Sequence, residues 1–310
     1  MKALDVTSWI AVALLGVVGC GRTDAPSTGR PIIVTTILPV HCIAANIAGD
    51  KAEVVSLMSA AADVHDFQMT PRDRQLINRA SLVIANGLGL EPWLRRVVKE
   101  SGKFSRVVEL SAGLEGDLIH SGGCAPEAGT ASSPSHQHQP GDINPHVWLD
   151  PQLYRHMVTN CLAAMQAVDP ANSPAYSANA SAYLDRLQKL DTELHAGFAR
   201  LTNAPIITYH DAFPYLTRRF GLRVVGVVEE TIDVAPTPKH FSKLRTIIEK
   251  EGVKALFTEP QRPDKLARRL ADDLKLRVQS LDTLETGVLT PTAYEDGMRR
   301  NLQSLQEALK

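Results

Sequence analysis

The chain has 310 residues, of which 44% are hydrophobic and 22% are charged; these are the proportions of a folded globular protein and exclude a disordered or fibrous chain. The length favours two domains, each with its own core, and excludes a small scaffold held by disulfides. The 33 Lys and Arg balance the 34 Asp and Glu to a formal charge of −1, so no long-range positive field favours nucleic acid or anionic lipid as a partner.

The first 20 residues are typical of an export signal. Lys2 precedes an apolar run over residues 9–18, which falls short of the roughly 20 residues that span a bilayer. The run ends in Val17-Val18-Gly19-Cys20, which resembles the site where a bacterial signal is cut and the new N-terminal cysteine is lipidated. We therefore expect a signal peptide over 1–19 and a lipidated Cys20 that begins a flexible tether over 20–30. An ordinary signal that happens to contain Cys20 is the alternative.

From Pro31 onward, short β-branched runs alternate with amphipathic stretches, which predicts parallel strands joined by helices. The strands are predicted at 32–37, 54–58, 81–85 and 106–110, with helices near 40–49, 71–79 and 90–100. Residues 113–145 are rich in Gly, Ser, Pro and His without periodicity, which predicts an exposed, mobile insertion. Asp150 and Pro151 then fit the N-cap and first position of another helix. Together these elements form a first α/β lobe over 31–170.

The stretch that follows has a different pattern. Apolar residues recur three or four positions apart from Tyr176 to Leu201, which predicts one long helix of roughly 40 Å within 171–203. A second alternating series then predicts strands at 206–209, 223–228, 255–258 and 277–281, with helices near 237–251, 264–274 and 291–309. The fold class is therefore α/β, with a second lobe over 204–310 joined to the first by a single long helix.

Three cysteines remain after Cys20, and an odd count leaves at least one thiol unpaired. Cys42 and Cys161 lie among apolar helical residues and are expected in the core. Cys124 lies in the predicted insertion. Whether any two of the three form a disulfide stays open.

Four residues with metal-binding side chains stand next to predicted strand or helix ends. His65 follows the second strand, His146 precedes a helix, and His210 and Asp282 each end a strand of the second lobe. Ligands of open α/β sheets bind beyond the carboxyl ends of the strands, so these side chains are expected to converge in the cleft between the lobes. Three imidazoles and one carboxylate suit tetrahedral Zn²⁺. Each histidine alone is more simply a hydrogen-bonded structural residue, and only their joint placement favours a metal site.

The predicted insertion also contains His120, His136 and His138. A loop of this kind either captures metal weakly or is a plain solvated loop. The sequence does not decide between these two readings.

Several motifs in order resemble one known family, the zinc and manganese solute-binding proteins of cluster A-I, which are the metal-binding subunits of ATP-binding-cassette importers. The resemblance extends over nearly the whole mature length, and the stretches that carry it are Thr35–Pro39, His65–Asp73, Asn144–Pro151, Tyr209–Phe213, Phe257–Gln261 and Leu281–Leu284. The resemblance implies two Rossmann-like α/β lobes joined by one long backbone helix, with the metal site in the cleft between the lobes.

Carried over residue by residue, the resemblance implies His65, His146, His210 and Asp282 as metal ligands. The third position is a glutamate in manganese-type members, and His210 there points to Zn²⁺ in preference to Mn²⁺ because imidazole suits zinc. Some zinc members carry an acidic residue where Val64 stands here, so whether Asp282 or water completes the shell stays open. Glu259 resembles a family residue near the cleft, and we expect it either to support a ligand from behind or to serve the structure alone.

The resemblance implies an extracytoplasmic component that captures Zn²⁺ and delivers it to a membrane permease driven by an ATPase. We expect an exported monomer. It is either anchored by its lipid on the outer side of the cytoplasmic membrane or located in the periplasm. A manganese-binding or other divalent-metal-binding protein or adhesin of the same fold is one alternative. A zinc hydrolase with Asp282 or Glu259 as general base is another, but the chain has no H-E-x-x-H helix and no G-x-S-x-G elbow, and no enzyme is expected.

Overall fold

The computed structural model describes residues 29–58, 64, 67–101, 107–121, 143–229, 236–261 and 265–310. Residues 1–30 and 31–310 form separate units, and every element described below belongs to the second. The predicted signal peptide and Cys20 lie outside the described residues. Within the described ranges, no helix has both the length and the apolar character needed to cross a bilayer.

The first lobe is built on a four-stranded parallel sheet with the strand order β2-β1-β3-β4. Its strands are β1 (Ile32–Thr35), β2 (Glu53–Ser56), β3 (Leu82–Ala85) and β4 (Val107–Glu109), and its crossover helices are α1 (Leu38–Ala48), α2 (Pro71–Arg79) and α3 (Pro92–Ser101). The central strand β3 is buried at every residue, as expected of a parallel strand covered on both faces.

The second lobe repeats this arrangement, with the strand order β6-β5-β7-β8, again all parallel. Its strands are β5 (Pro205–Thr208), β6 (Arg223–Val227), β7 (Ala255–Thr258) and β8 (Arg277–Ser280), and its helices are α6 (Pro214–Phe220), α7 (Pro238–Glu251), α8 (Lys265–Leu274) and α9 (Ala293–Ala308). In each sheet the strand order reverses between the two central strands, β1 and β3 in the first lobe and β5 and β7 in the second. Such a switch point opens a crevice at the carboxyl ends of these strands.

One long helix, α5 (Ser173–Phe198), connects the lobes, and the last helix of the first lobe, α4 (Pro151–Val168), precedes it. Helix α4 begins at the Asp150 N-cap, whose side chain accepts the backbone N–H of Gln152, as predicted. Helix α5 has 26 residues, which gives a length of roughly 39 Å. It packs against α1 and α4 of the first lobe and against α6 and α9 of the second. Its buried face carries the predicted apolar residues up to the helix end together with one charged residue, and consists of Tyr176, Ala180, Tyr183, Leu187, Leu190, Asp191, Leu194 and Phe198.

The structure differs from the sequence prediction in two places. Helix α6 was not predicted, because its seven residues before Gly221, a left-handed residue with φ of 72°, are too few to show a helical period. Residues 113–145 were predicted as an exposed, mobile insertion, yet Glu115–Asp117 form a 3₁₀ turn, His120 pairs with Ile143 in a β-bridge, and Asn144 is buried. Residues 122–142, with Cys124, lie outside the described part.

The expectation for the other two cysteines is confirmed. Cys42 and Cys161 are free thiols, both fully buried in the main hydrophobic cluster. Burial raises the pKa of Cys42 to about 12, so this thiol stays protonated and unreactive at neutral pH.

Candidate metal centre

His146 lies in a short segment that ends in the 3₁₀ turn Val147–Leu149, directly before α4. Its side chain is buried, and its position is set by Asn144 two residues earlier. Asn144 Oδ1 accepts the backbone N–H of His146 at 3.2 Å and lies 2.9 Å from the ring Nδ1. The opposite ring nitrogen, Nε2, lies 3.0 Å from Oε1 of Glu285.

His210 follows β5 at the switch point of the second sheet, and it is buried as well. Its ring Nδ1 contacts Oε1 of Glu259, a residue that follows β7, the strand beside β5. A carboxylate on one nitrogen of an imidazole fixes the ring orientation and directs the other nitrogen to a metal. The structure therefore places Glu259 against the ring of a predicted ligand.

His146, His210 and Glu285 form a compact buried group. Their ligand atoms all lie within 4.8 Å of one another, and the two imidazole centroids are 5.4 Å apart. In the described ranges this is the one group of three or more histidine, cysteine or acidic side chains with such a spacing. Two nitrogens and one carboxylate oxygen at these separations match three ligands of a first-row divalent metal.

Asp282 is not part of this group, although the sequence predicted it as the carboxylate. Its Oδ1 accepts the backbone N–H of Leu284 at 2.8 Å, and its own backbone N–H and C=O both bond the side chain of Asn301. Burial raises the pKa of the Asp282 carboxyl. The side chain closes the turn after β8, and that turn carries Glu285 toward the histidines.

Glu285 is the member of the group that sequence reasoning missed. Its backbone C=O accepts the N–H of Leu38 at the start of α1 in the first lobe, at 2.9 Å. The only local signal was an acidic residue a few positions beyond the end of β8, which is too common to single out a ligand. The contact that places it joins residues far apart along the chain.

The remaining predicted residues have mixed outcomes. His65, His136 and His138 lie outside the described residues, so their placement stays a prediction. His120 is exposed at the bridge with Ile143. It is not a member of the buried group.

Hydrogen bonds tie the segments that carry the buried group across the two lobes. Trp148 Nε1 donates to the C=O of Thr283 at 2.7 Å, and Tyr294 Oη donates to the C=O of Trp148 at 2.8 Å. The Asn144 amide donates to the C=O of Asp211 at 2.5 Å. Buried donors and acceptors that bond in this way hold the ligand atoms at a defined spacing.

Known proteins resemble the chain over nearly its whole length. A family model described as zinc-uptake complex component A, periplasmic, matches residues 33–308. The high-affinity zinc uptake system protein ZnuA of Bacillus subtilis (strain 168) is 30% identical over 311 residues, covering 97% of this chain and 96% of that protein.

Solved structures include similar folds with different metals. The binding protein FpvC of Pseudomonas aeruginosa, in complex with Ni²⁺, is 28% identical with a TM-score of 0.77, covering 91% of this chain and 97% of that chain. FpvC has also been solved in complex with Mn²⁺. The metal-dependent lipoprotein YcdH of Bacillus subtilis is 28% identical with a TM-score of 0.72, covering 90% of this chain and 99% of that chain.

Proposed function

Because the chain belongs to the family of zinc-uptake complex component A, we propose that it binds Zn²⁺ outside the cytoplasmic membrane and delivers it to the permease of an ATP-binding-cassette importer. Members of this family are substrate-binding proteins for metal transport. The observation that carries the proposal is the buried group of His146, His210 and Glu285 at the seam of the two lobes. A divalent cation fits there because it satisfies a buried carboxylate that is otherwise costly to keep charged.

The ligand set supports zinc over manganese. Two imidazoles and one carboxylate are nitrogen-rich, whereas Mn²⁺ prefers carboxylate, carbonyl and water oxygens. With His65 as the fourth ligand, the shell becomes the closed N₃O set of a tetrahedral zinc site. We propose Glu285 as the carboxylate in place of Asp282, since Glu285 already faces His146. Ni²⁺ and Cu²⁺ also bind nitrogen-rich sites in a test tube, so affinity alone does not identify the cargo.

A closed shell suits a carrier better than a zinc enzyme, which keeps one coordination position open for water. Release then requires the partner permease to move a ligand-bearing segment, and the ATPase supplies the energy. We propose that a lipid on Cys20 holds the chain at the outer face of the cytoplasmic membrane as a monomer. His120, His136 and His138 are proposed to capture metal weakly before it reaches the buried group.

Zinc affinity measured by competition with a chromophoric chelator tests the proposal. The purified protein is expected to bind one Zn²⁺ tightly, and His146→Ala to weaken binding by more than the roughly 10–100-fold that loss of a supporting residue costs. His156→Ala is the matched control, because His156 lies on α4 and its Nε2 bonds the C=O of Ala112, away from the group. The cargo assignment is wrong if the native protein is isolated with manganese or nickel and no zinc. Equal affinities of the two variants would contradict the site.

A further inference from the structure

Asn144 is almost completely buried, at 1% exposed, and every polar group it carries has a partner. Its backbone N–H donates to the C=O of Ile119 at 2.8 Å, and its C=O accepts from Tyr215 Oη at 2.9 Å. Its side-chain oxygen accepts from His146, and its side-chain nitrogen donates to Asp211. The residue is thus held by groups from both lobes.

The orientation of the Asn144 amide follows from two backbone groups. The N–H of His146 is a donor only, so the atom that it meets must be the amide oxygen. The C=O of Asp211 is an acceptor only, so the atom facing it must be the amide nitrogen. Flipping the amide would set two donors against each other and two acceptors against each other.

With the amide so oriented, the tautomer of His146 follows. The oxygen that accepts the backbone N–H also lies 2.9 Å from the ring Nδ1, and an amide oxygen only accepts, so Nδ1 carries a hydrogen. The lone pair available for a metal is then on Nε2, the nitrogen that faces Glu285.

The amide nitrogen acts on the other imidazole through the backbone. Asp211 directly follows His210, so its C=O belongs to the peptide group that joins Asp211 to Ala212, one residue beyond the ligand. The bond from Asn144 to this carbonyl therefore fixes the His210 segment relative to the His146 segment. The same planar amide group therefore contacts the His146 ring and anchors the segment that carries the His210 ring.

We infer that Asn144 is a positioning residue that sets the spacing of the two histidine ligands, its oxygen orienting the His146 ring and its nitrogen anchoring the His210 segment. The inference rests on the proposed function, since the spacing matters only if both imidazoles bind one ion. Asn144 itself does not contact the metal.

Two substitutions separate the two halves of the amide. Asn144→Asp keeps an oxygen for the His146 ring but sets a second oxygen against the C=O of Asp211, which repels it. Asn144→Leu has a similar volume and removes both bonds. The matched control is Asn160→Leu, because the Asn160 amide also donates to backbone carbonyls, those of Leu110 and Ala112, both at 2.8 Å, without touching the ligand segments.

Zinc affinity, the visible spectrum of the Co²⁺-substituted protein, and the ¹⁵N signals of the zinc-loaded His146 ring are measured on the whole mature protein. We expect Asn144→Asp to bind Zn²⁺ about tenfold more weakly with the Nδ1–H signal retained. We expect Asn144→Leu to bind it roughly 10–100-fold more weakly, with that signal lost and the Co²⁺ spectrum changed. Asn160→Leu should match the wild type in all three.

The inference would be overturned if the Asn144 variants unfold at a lower temperature but keep the zinc affinity, Co²⁺ spectrum and ring signals of the wild type. Asn144 would then serve stability alone. If Asn144→Leu does not fold, the result for Asn144→Asp decides by the same criteria. A wild-type protein that binds no Zn²⁺ is a different result, because it removes the proposed function and the inference with it.

Discussion

Nε2 of His146 lies 3.0 Å from Oε1 of Glu285, although 139 positions separate the two residues along the chain. Both side chains are buried, and one belongs to each lobe. A buried carboxylate requires a cationic partner or several donors, and the ring beside Glu285 can itself bind a metal. A cation bound between them satisfies both groups at once.

Glu285→Gln is therefore expected to weaken zinc binding strongly. The amide has the same shape as the carboxylate but no charge, so the buried group loses its only anion among the described ligands. The loss should exceed the roughly 10–100-fold effect of removing a supporting residue. Competition with a chelator measures it, and Glu109→Gln, which removes a half-exposed carboxylate paired with Arg95, is the control.

Asp282→Asn belongs in the same experiment because the sequence predicted Asp282 as the ligand. The structure uses its side chain to accept the N–H of Leu284, so its substitution should affect zinc binding less than Glu285→Gln does. The reverse ranking would show that the metal-loaded protein recruits Asp282 and that the role proposed for Glu285 is wrong.

The fold could be predicted from sequence where it depends on local pattern. Helix α5 could be predicted because its apolar residues stand three and four positions apart, the spacing that places them on one buried face of a helix. Helix α6 could not be predicted in this way, since its seven residues show no full period. Its position depends on Tyr215, whose hydroxyl accepts the N–H of Ile119 and donates to the C=O of Asn144.

The candidate site shows the same division between local and distant information. His146 and His210 stand at chain positions where α/β folds bind ligands, and the structure brings them to a centroid distance of 5.4 Å. Glu285 is brought in by the turn at Asp282 and by the hydrogen bond to Leu38 of the other lobe. A contact between residues so far apart along the chain leaves no trace in local composition or periodicity.

His210→Glu is expected to shift the metal preference from Zn²⁺ toward Mn²⁺. It replaces an imidazole nitrogen by a carboxylate oxygen, which suits the harder ion. The new carboxylate would also face Glu259, the present partner of the His210 ring, so the metal-free variant should be less stable and a divalent cation should restore it. Metal content after dialysis against equal Zn²⁺ and Mn²⁺ measures the preference. An unchanged zinc preference would mean that residue 210 does not select the ion.

Arg219 and Arg299 offer a matched test of buried and exposed ion pairs on helix α5. Arg219 Nη2 donates to Asp191 Oδ2 at 2.7 Å, and the Asp191 side chain is only 5% exposed. Arg219→Gln leaves that carboxylate with a weaker set of donors and should lower the free energy of unfolding by roughly 3 kcal/mol. Arg299 pairs with Glu193 at 2.9 Å where both side chains are nearly half exposed, so Arg299→Gln should cost at most about 1 kcal/mol.

Urea denaturation of the metal-free protein compares the two arginine variants. Equal losses of unfolding free energy would show that the Asp191 carboxylate reaches solvent or other donors once Arg219 is gone. Arg219 also lies close to the segments that carry the site. It belongs to α6, which follows the His210 segment, and it approaches the Asp150 N-cap of α4 at 3.7 Å.

Glu91 gives the first lobe a pH-dependent stability. The carboxyl is buried and accepts from Thr36 Oγ1 at 2.7 Å and from the backbone N–H groups of Asn86 and Gly87 at 2.8 and 3.1 Å. Burial raises its pKa from 4.5 to about 7, against the opposing effect of these hydrogen bonds. Between these two pH values the unfolded chain loses the proton while the folded chain keeps it, so stability falls as pH rises, by about 3 kcal/mol in total.

Glu91→Gln removes this titration and should flatten the pH profile over the same interval. Its amide nitrogen would face the N–H of Gly87, so the variant should be less stable than the wild type near pH 4.5, by about 1–3 kcal/mol for the lost acceptor. The difference should then shrink as the pH approaches 7, because only the wild type loses stability. Urea denaturation of both metal-free proteins at several pH values measures the two profiles. Parallel profiles would show that Glu91 ionises in the folded protein as readily as in the unfolded chain.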